Sequence, residues 1–140
     1  MGQPERFSYT HDRGEMGDFG LRPWLPVKLA WQGRSLEANA LLDTGSMVNV
    51  LPYKLGVSLG LDWESMRVTL PPLAGNLAHY EVRAALLTAW IGNLAPVNLA
   101  FAWTKAEDVP LLFGHINFFT QFDACFYRAD KAFEVRLRGG

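Results

Sequence analysis

The fold of this chain is decided by the stretch Ala40-Leu41-Leu42-Asp43-Thr44-Gly45-Ser46-Met47-Val48-Asn49-Val50-Leu51-Pro52. A turn that carries a carboxylate lies here between two apolar segments, which have the composition of buried strands. Because an ionised side chain is costly to bury, an aspartate in such surroundings usually has a function. Asp43 is therefore the candidate catalytic residue of the chain.

Each residue of this turn has a chemical reason to be there. Gly45 permits a tight bend of the backbone. Thr44 can hydrogen-bond to another backbone segment, and Ser46 can donate a hydrogen bond to the carboxylate. A surface turn capped by Asp43 is the simpler alternative, since Asp and Gly are common in such turns. The apolar flanks favour the catalytic interpretation.

A second motif, Leu112-Phe113-Gly114, lies near the C-terminal end and is followed by apolar residues at helical spacing. Together with Asp43-Thr44-Gly45 it resembles the retropepsin family of aspartic peptidases. The signature of that family pairs apolar-apolar-Asp-Thr/Ser-Gly with a later apolar-apolar-Gly and a helix. The resemblance covers about residues 23 to 137. It implies a mostly β, closed, barrel-like acid-protease fold with a short C-terminal helix, in which Leu112 and Phe113 support the active loop from beneath and Gly114 follows them.

The resemblance also implies a reaction and an assembly. Two carboxyl groups that lie close together share one proton, so that one acts as base and the other as acid. Since this chain has one such turn, we expect a homodimer in which Asp43 of each subunit meets the other at a twofold axis. Thr44 would then bond the partner's active loop.

The expected activity is that of an aspartic endopeptidase, which uses an activated water and needs neither a cofactor nor a metal. Its rate should depend on pH in a bell shape that belongs to the pair of carboxyl groups. We expect the substrate to be a peptide or protein in extended conformation, bound across the subunit interface. The alternative is a catalytically silent module of the same fold that dimerises or binds peptides, because fold does not dictate function.

The rest of the pattern predicts short strands separated by turns. Residues 1 to 22 are predicted to be a flexible or loosely docked N-terminal arm, and residues 23 to 140 the protease-like domain. The predicted strands are 24–31, 35–42, 48–51, 63–70, 80–91, 94–103, 109–113, 124–128 and 132–137. Short helices are predicted within 52–60 and 116–122.

The connection 71–77 between the two long strands has small and turn-forming residues. We expect its tip to form the substrate-binding flap, which consists of Ala74, Gly75, Asn76 and Leu77. This tip has one glycine where the family commonly has several, so flap closure is expected to differ. His115 follows Gly114 where viral members of the family usually have an arginine, and dimer stability is expected to differ for that reason.

Composition excludes several other functions. The chain has 140 residues, enough for one domain, and 49% of them are apolar. Its 13 Lys and Arg balance 14 Asp and Glu, which gives no broad field for nucleic acid or an anionic membrane. The three histidines have no metal-ligand spacing, so no metal site is predicted. Cys125 is predicted to be a buried structural thiol. No signal peptide or membrane-spanning run is present, which favours a soluble, cytoplasmic protein.

Overall fold

The fold is described from a computed structural model of the chain, which describes residues 3–12, 20–66 and 81–139. The predicted flap residues Ala74, Gly75, Asn76 and Leu77 lie outside these ranges. In chain order, the strands are β1 (Glu5–Ser8), β2 (Thr10–His11), β3 (Leu21–Arg22), β4 (Trp24–Trp31), β5 (Arg34–Leu42), β6 (Asn49–Pro52), β7 (Val82–Trp90), β8 (Val97–Thr104), β9 (Leu112–Phe113), β10 (Phe122–Tyr127) and β11 (Ala132–Leu137). The α-helices are α1 (Tyr53–Ser58) and α2 (Phe118–Gln121).

Six strands close into a barrel in the order β4-β5-β9-β6-β8-β7. Along β4 the side chains of Leu25, Val27 and Leu29 are buried, whereas Pro26 and Lys28 between them are exposed. This alternation places one face of the strand in the core and the other in solvent. The core of the barrel therefore arises from the same period of two that predicts the strands.

The predicted strands 24–31 and 35–42 are confirmed as the first hairpin of the barrel. β4 and β5 pair in antiparallel register from Trp24 with Leu41 to Trp31 with Arg34. Gln32 and Gly33 make the turn with positive φ angles of 45° and 83°, a conformation that suits a tight two-residue hairpin. The hairpin delivers the end of β5 directly to the Asp43 turn.

The two-residue strand β9 lies between β5 and β6 in the barrel. It runs parallel to β5, with Leu41 opposite Leu112 and Leu42 opposite Phe113. It runs antiparallel to β6, where Val50 is opposite Leu112. Because β5 and β9 are parallel, the residues that follow both strands emerge at the same edge of the sheet.

The segment after β9 is packed into the core by aromatic residues. Phe113, Phe118 and Phe122 are buried, and their rings stack at centroid distances of 4.5 Å and 4.6 Å. The predicted helix in 116–122 is confirmed, although it is one turn long. The predicted strands 124–128 and 132–137 correspond to β10 and β11, which pair from Phe122 with Leu137 to Tyr127 with Ala132.

The structure differs from the expected N-terminal arm over Glu5–Ser8. These residues form β1, which pairs with β11 along its whole length. Phe7 stacks on Phe133 at 5.5 Å, and the Glu5 carboxylate accepts a hydrogen bond from the Asn93 amide at 2.8 Å. A long-range strand pairing and a buried aromatic contact thus dock this part of the segment.

Two predictions are wrong. Residues 63 to 65 form a turn rather than the start of a strand, because the Asp62 carboxylate accepts hydrogen bonds from Ser65 Oγ at 2.8 Å and from the Glu64 amide at 3.3 Å. Cys125 is exposed rather than buried, since it lies on β10, an outer strand of the β1-β11-β10 sheet. In the described part of the chain, no helix has the length and apolar character needed to cross a membrane.

Candidate active site

The Asp43 turn is a β-turn closed by its own backbone. The amide of Ser46 donates to the carbonyl oxygen of Asp43 at 3.1 Å, and the amide of Gly45 donates to Asp43 Oδ1 at 2.9 Å. The amide of Asp43 itself donates to the carbonyl of Phe113 at 3.0 Å. The carboxylate is therefore fixed relative to its own turn, and the turn is fixed to β9.

The turn presents the carboxylate at the protein surface. Asp43 is half-buried, while Thr44 and Gly45 are exposed. A Cβ atom built on Gly45 would lie 3.2 Å from Asp43 Oδ1, so glycine leaves room for the carboxylate oxygen at this point. Within the described part of the chain, the turn thus leaves the carboxylate accessible from outside.

Ser46 does not act as the sequence predicts. Its hydroxyl group donates to the carbonyl oxygen of Val48 at 2.8 Å and not to the carboxylate of Asp43. A hydroxyl has one proton to donate, so this bond uses it. Ser46 therefore stiffens the chain after the turn, and the hydrogen bond to Asp43 comes from the backbone of Gly45.

The segment after β9 runs alongside the segment after the turn. The amide of His115 donates to the carbonyl of Ser46 at 3.0 Å, and the amide of Ile116 donates to that of Met47 at 2.8 Å. The amide of Asn49 donates back to the carbonyl of Ile116 at 3.0 Å. These bonds join two segments that are far apart in sequence into one rigid loop pair.

Gly114 is required by this close approach. A Cβ atom on Gly114 would collide with the carbonyl oxygen of Val48 and would lie 2.6 Å from that of Ser46. Both neighbours are backbone atoms, which cannot move aside as the end of a side chain can. The glycine that the sequence motif predicts thus has a steric reason in the structure.

Asn49 links the two loops from inside and is not among the site residues predicted from the sequence. Its side chain is fully buried. Oδ1 accepts a hydrogen bond from the Gly114 amide at 2.8 Å, while Nδ2 donates to the Ala100 carbonyl at 2.9 Å and to Asn117 Oδ1 at 3.1 Å. The signal was present as one amide side chain inside the apolar run Val48-Asn49-Val50, since a buried polar group has to find partners.

His115 touches the active turn directly. Its Nε2 atom lies 2.6 Å from the carbonyl oxygen of Thr44, and its ring lies against that of Phe119 with centroids 5.6 Å apart. The histidine is exposed. His115 therefore contacts the turn at Thr44, whereas the carbonyl of Phe113 binds the turn at the amide of Asp43.

The structure thus brings most of the predicted site residues together. Residues 43 to 46 lie beside β9 and Gly114, with Phe113 fully buried and Leu112 half-buried beneath them. The flap residues lie outside the described ranges, and the second carboxylate would belong to another chain. Among the described residues, no group of His, Cys, Asp and Glu could hold a metal ion. The catalytic role of Asp43 stays a prediction.

A cavity of about 640 Å³ opens elsewhere, on the outer face of β4 and β5. Lys28, Glu37 and Trp90 are among its lining residues, and Asp43 is not. The cavity is open to solvent. It is therefore separate from the Asp43 turn.

Comparison with known proteins gives a fold and no closer relationship. No protein-family model matches the sequence, and no curated protein matches it. Among solved structures, the fold is similar to the crystal structure of a retropepsin-like aspartic protease from Rickettsia conorii, with a TM-score of 0.60 and 12% sequence identity over 95% of this chain and 91% of that chain. At this identity the likeness shows the fold alone, and the predicted retropepsin-like, mostly β fold with a closed barrel is confirmed.

Proposed function

We propose that this protein is an aspartic endopeptidase that works as a homodimer. The observation that carries the proposal is a half-buried carboxylate, Asp43, held by backbone hydrogen bonds in a surface turn of a retropepsin-like fold. A turn built only to cap a loop would not need bonds from a distant strand. The clamp by Phe113 and the steric fit of Gly114 support a site whose geometry matters.

Asp43 and Asp43 of the partner subunit would supply the chemistry together. One carboxylate, being ionised, takes a proton from a water molecule, and the other, being protonated, polarises the carbonyl group of the scissile peptide bond. The water oxygen attacks that carbonyl carbon to form a tetrahedral intermediate. The carboxyl group that took the proton from the water then donates it to the amide nitrogen, the C–N bond breaks, and the amine leaves. The Gly45 amide, which donates to Asp43 Oδ1, would keep one oxygen of the carboxyl in place while the other faces the water.

The surface around the turn suits a second copy of the chain. Met47 is 63% exposed and Ile116 is 53% exposed, although both are large apolar residues. They lie side by side, because the amide of Ile116 bonds to the carbonyl of Met47 at 2.8 Å. Burial of this apolar pair against its symmetry mate would stabilise a dimer centred near Asp43. The exposed Thr44 lies on the same surface and could reach the partner's loop.

The decisive experiment compares the parent chain with Asp43→Asn on a library of extended peptides between mildly acidic and neutral pH. Asn keeps the size of the side chain and its acceptor for Gly45, but it cannot act as base. We expect the parent to cleave and Asp43→Asn to lose activity by about a thousandfold or more, as expected for loss of an essential acid–base group.

Asp108→Asn is a matched control. Asp108 is exposed in a loop with a φ angle of 60°, a conformation that Asn tolerates well. This variant should cleave like the parent. Equal turnover by the parent and Asp43→Asn would refute the proposal, and peptide binding without any turnover by the parent would favour a silent binding module. Sedimentation of the parent should show a dimer, and a monomer at high concentration would exclude the shared dyad.

A further inference from the structure

The peptide group between Thr44 and Gly45 is held at both ends. Its carbonyl oxygen lies 2.6 Å from Nε2 of His115, and its amide donates to Oδ1 of Asp43 at 2.9 Å. In a trans peptide the C=O and N–H bonds point in opposite directions within one rigid plane. A hydrogen bond at the carbonyl end therefore sets the direction of the N–H at the other end.

We propose that His115 is a positioning residue for the carboxylate of Asp43, which it orients through the Thr44–Gly45 peptide plane. A carbonyl oxygen can only accept, so Nε2 of His115 carries the hydrogen. Both the neutral Nε2–H tautomer and the imidazolium ion can donate this bond. The bond from Gly45 to the carboxylate is charge-assisted when Asp43 is ionised, and such bonds depend strongly on direction.

The expected effect on the rate of peptide cleavage rests on the proposed function, whereas the hydrogen bonds of the Thr44–Gly45 peptide do not depend on it. If Asp43 is the base, loss of the anchor at His115 lets the peptide plane rotate and weakens the bond to the ionised carboxylate. The carboxylate is then oriented less well for its part in the reaction, so kcat should fall, while KM, which reflects contacts with the peptide, should change little.

A merely structural role for His115 predicts something different. The ring also packs against Phe119 at a centroid distance of 5.6 Å, and that contact alone could explain the residue. His115→Phe keeps a ring for this packing and removes the donor. His115→Gln removes the ring and keeps an N–H donor of similar reach. The two variants therefore separate the hydrogen bond from the packing.

The first test is the exchange rate of the Gly45 amide hydrogen, followed by NMR on the labelled full chain. His115→Phe removes the hydrogen bond to the Thr44 carbonyl, which fixes the peptide plane that contains the Gly45 amide. The amide hydrogen of Gly45 should therefore exchange roughly tenfold faster in this variant. His115→Gln should remain within about twofold of the parent. His11→Phe, a substitution of an exposed histidine on β2, should leave the Gly45 rate unchanged.

The second test is kinetic and uses the same variants. His115→Phe should lower kcat roughly tenfold at unchanged KM, whereas His115→Gln should keep a kcat close to that of the parent. Parental exchange at Gly45 in His115→Phe, or equal damage by the two substitutions, would overturn the inference. If the parent cleaves no peptide, the proposed function fails, but the exchange rate of Gly45 still decides whether His115 positions the turn.

Discussion

Asn49→Ala should destabilise the protein although it changes no residue of the active turn. The Asn49 side chain is fully buried and makes three hydrogen bonds, at 2.8, 2.9 and 3.1 Å. The substitution removes all three. The amide of Gly114 is then left buried without an acceptor, because the only side-chain oxygen that reaches it in the described structure belongs to Asn49.

The magnitude follows from these bonds. A typical hydrogen bond within a protein contributes about 1 kcal/mol net, and a buried donor left without a partner costs about 1–3 kcal/mol. Asn117 Oδ1 loses little, since it still accepts from the Ala100 amide at 3.0 Å. We therefore expect Asn49→Ala to lower the free energy of unfolding by about 3 kcal/mol, within a range of about 2–4 kcal/mol.

The assay is equilibrium unfolding in urea at one fixed chain concentration, because the stability of the proposed dimer would depend on concentration. Asn98→Ala is the matched control. Asn98 lies on β8, is exposed, and accepts a side-chain bond from Thr88 at 3.0 Å, so its loss should cost no more than about 0.5 kcal/mol. A double-mutant cycle of Asn49 with Asn117 should give a coupling of about 1 kcal/mol. An Asn49→Ala chain as stable as the control would refute the reasoning.

Three other substitutions test separate features. Gly114→Ala should lower the free energy of unfolding in urea by about 1–3 kcal/mol, because the new methyl group would meet backbone carbonyl oxygens. A variant as stable as the parent would contradict this steric explanation. Gly56→Ala should lower Tm, because the new Cβ atom would lie within 2.8 Å of the Trp103 indole ring. This clash should outweigh the better helix propensity of Ala. A raised Tm would show that the indole ring can move aside. Glu134→Gln should lower the pKa of Tyr127, which the Glu134 carboxylate and then Cys125 raise above the ordinary value. The ionisation of Tyr127 can be followed by tyrosinate absorbance against a Tyr127→Phe reference, and an unchanged midpoint would assign the shift elsewhere.

Local sequence patterns predicted those parts of the fold that local interactions determine. The predicted strands 24–31 and 35–42 pair through a tight turn, because the positive φ at Gly33 suits few other residues. Gly114 was marked by its motif, and its steric reason is a contact with backbone atoms from residues 46 and 48. Such positions carry a signal in the residue type itself.

Features that depend on distant partners were harder to predict. The sequence of β1 has the composition of a polar arm with scattered aromatic residues. Its place in a sheet depends on the distant strand β11, where Phe7 stacks on Phe133. Cys125 sits in an apolar run, but its strand is at the edge of a sheet, where such a residue stays exposed. The role of Asn49 needed partners that lie 51, 65 and 68 residues further along the chain. Periodicity contains no information on these partners.

The position of the candidate catalytic acid is set mainly by the far end of the chain. The amide of Asp43 donates a hydrogen bond to the carbonyl of Phe113, and the carbonyl of Thr44 in the same turn lies in hydrogen-bonding distance of His115 Nε2. The two-residue strand β9 can do this because it lies between β5 and β6, so that its backbone bonds on both sides and its ends cannot swing. A turn made of residues 43 to 46 alone would keep its internal bonds but lose its orientation. Substitutions at residues 113 to 117 should therefore change the orientation of the acid, although none of these residues belongs to the turn.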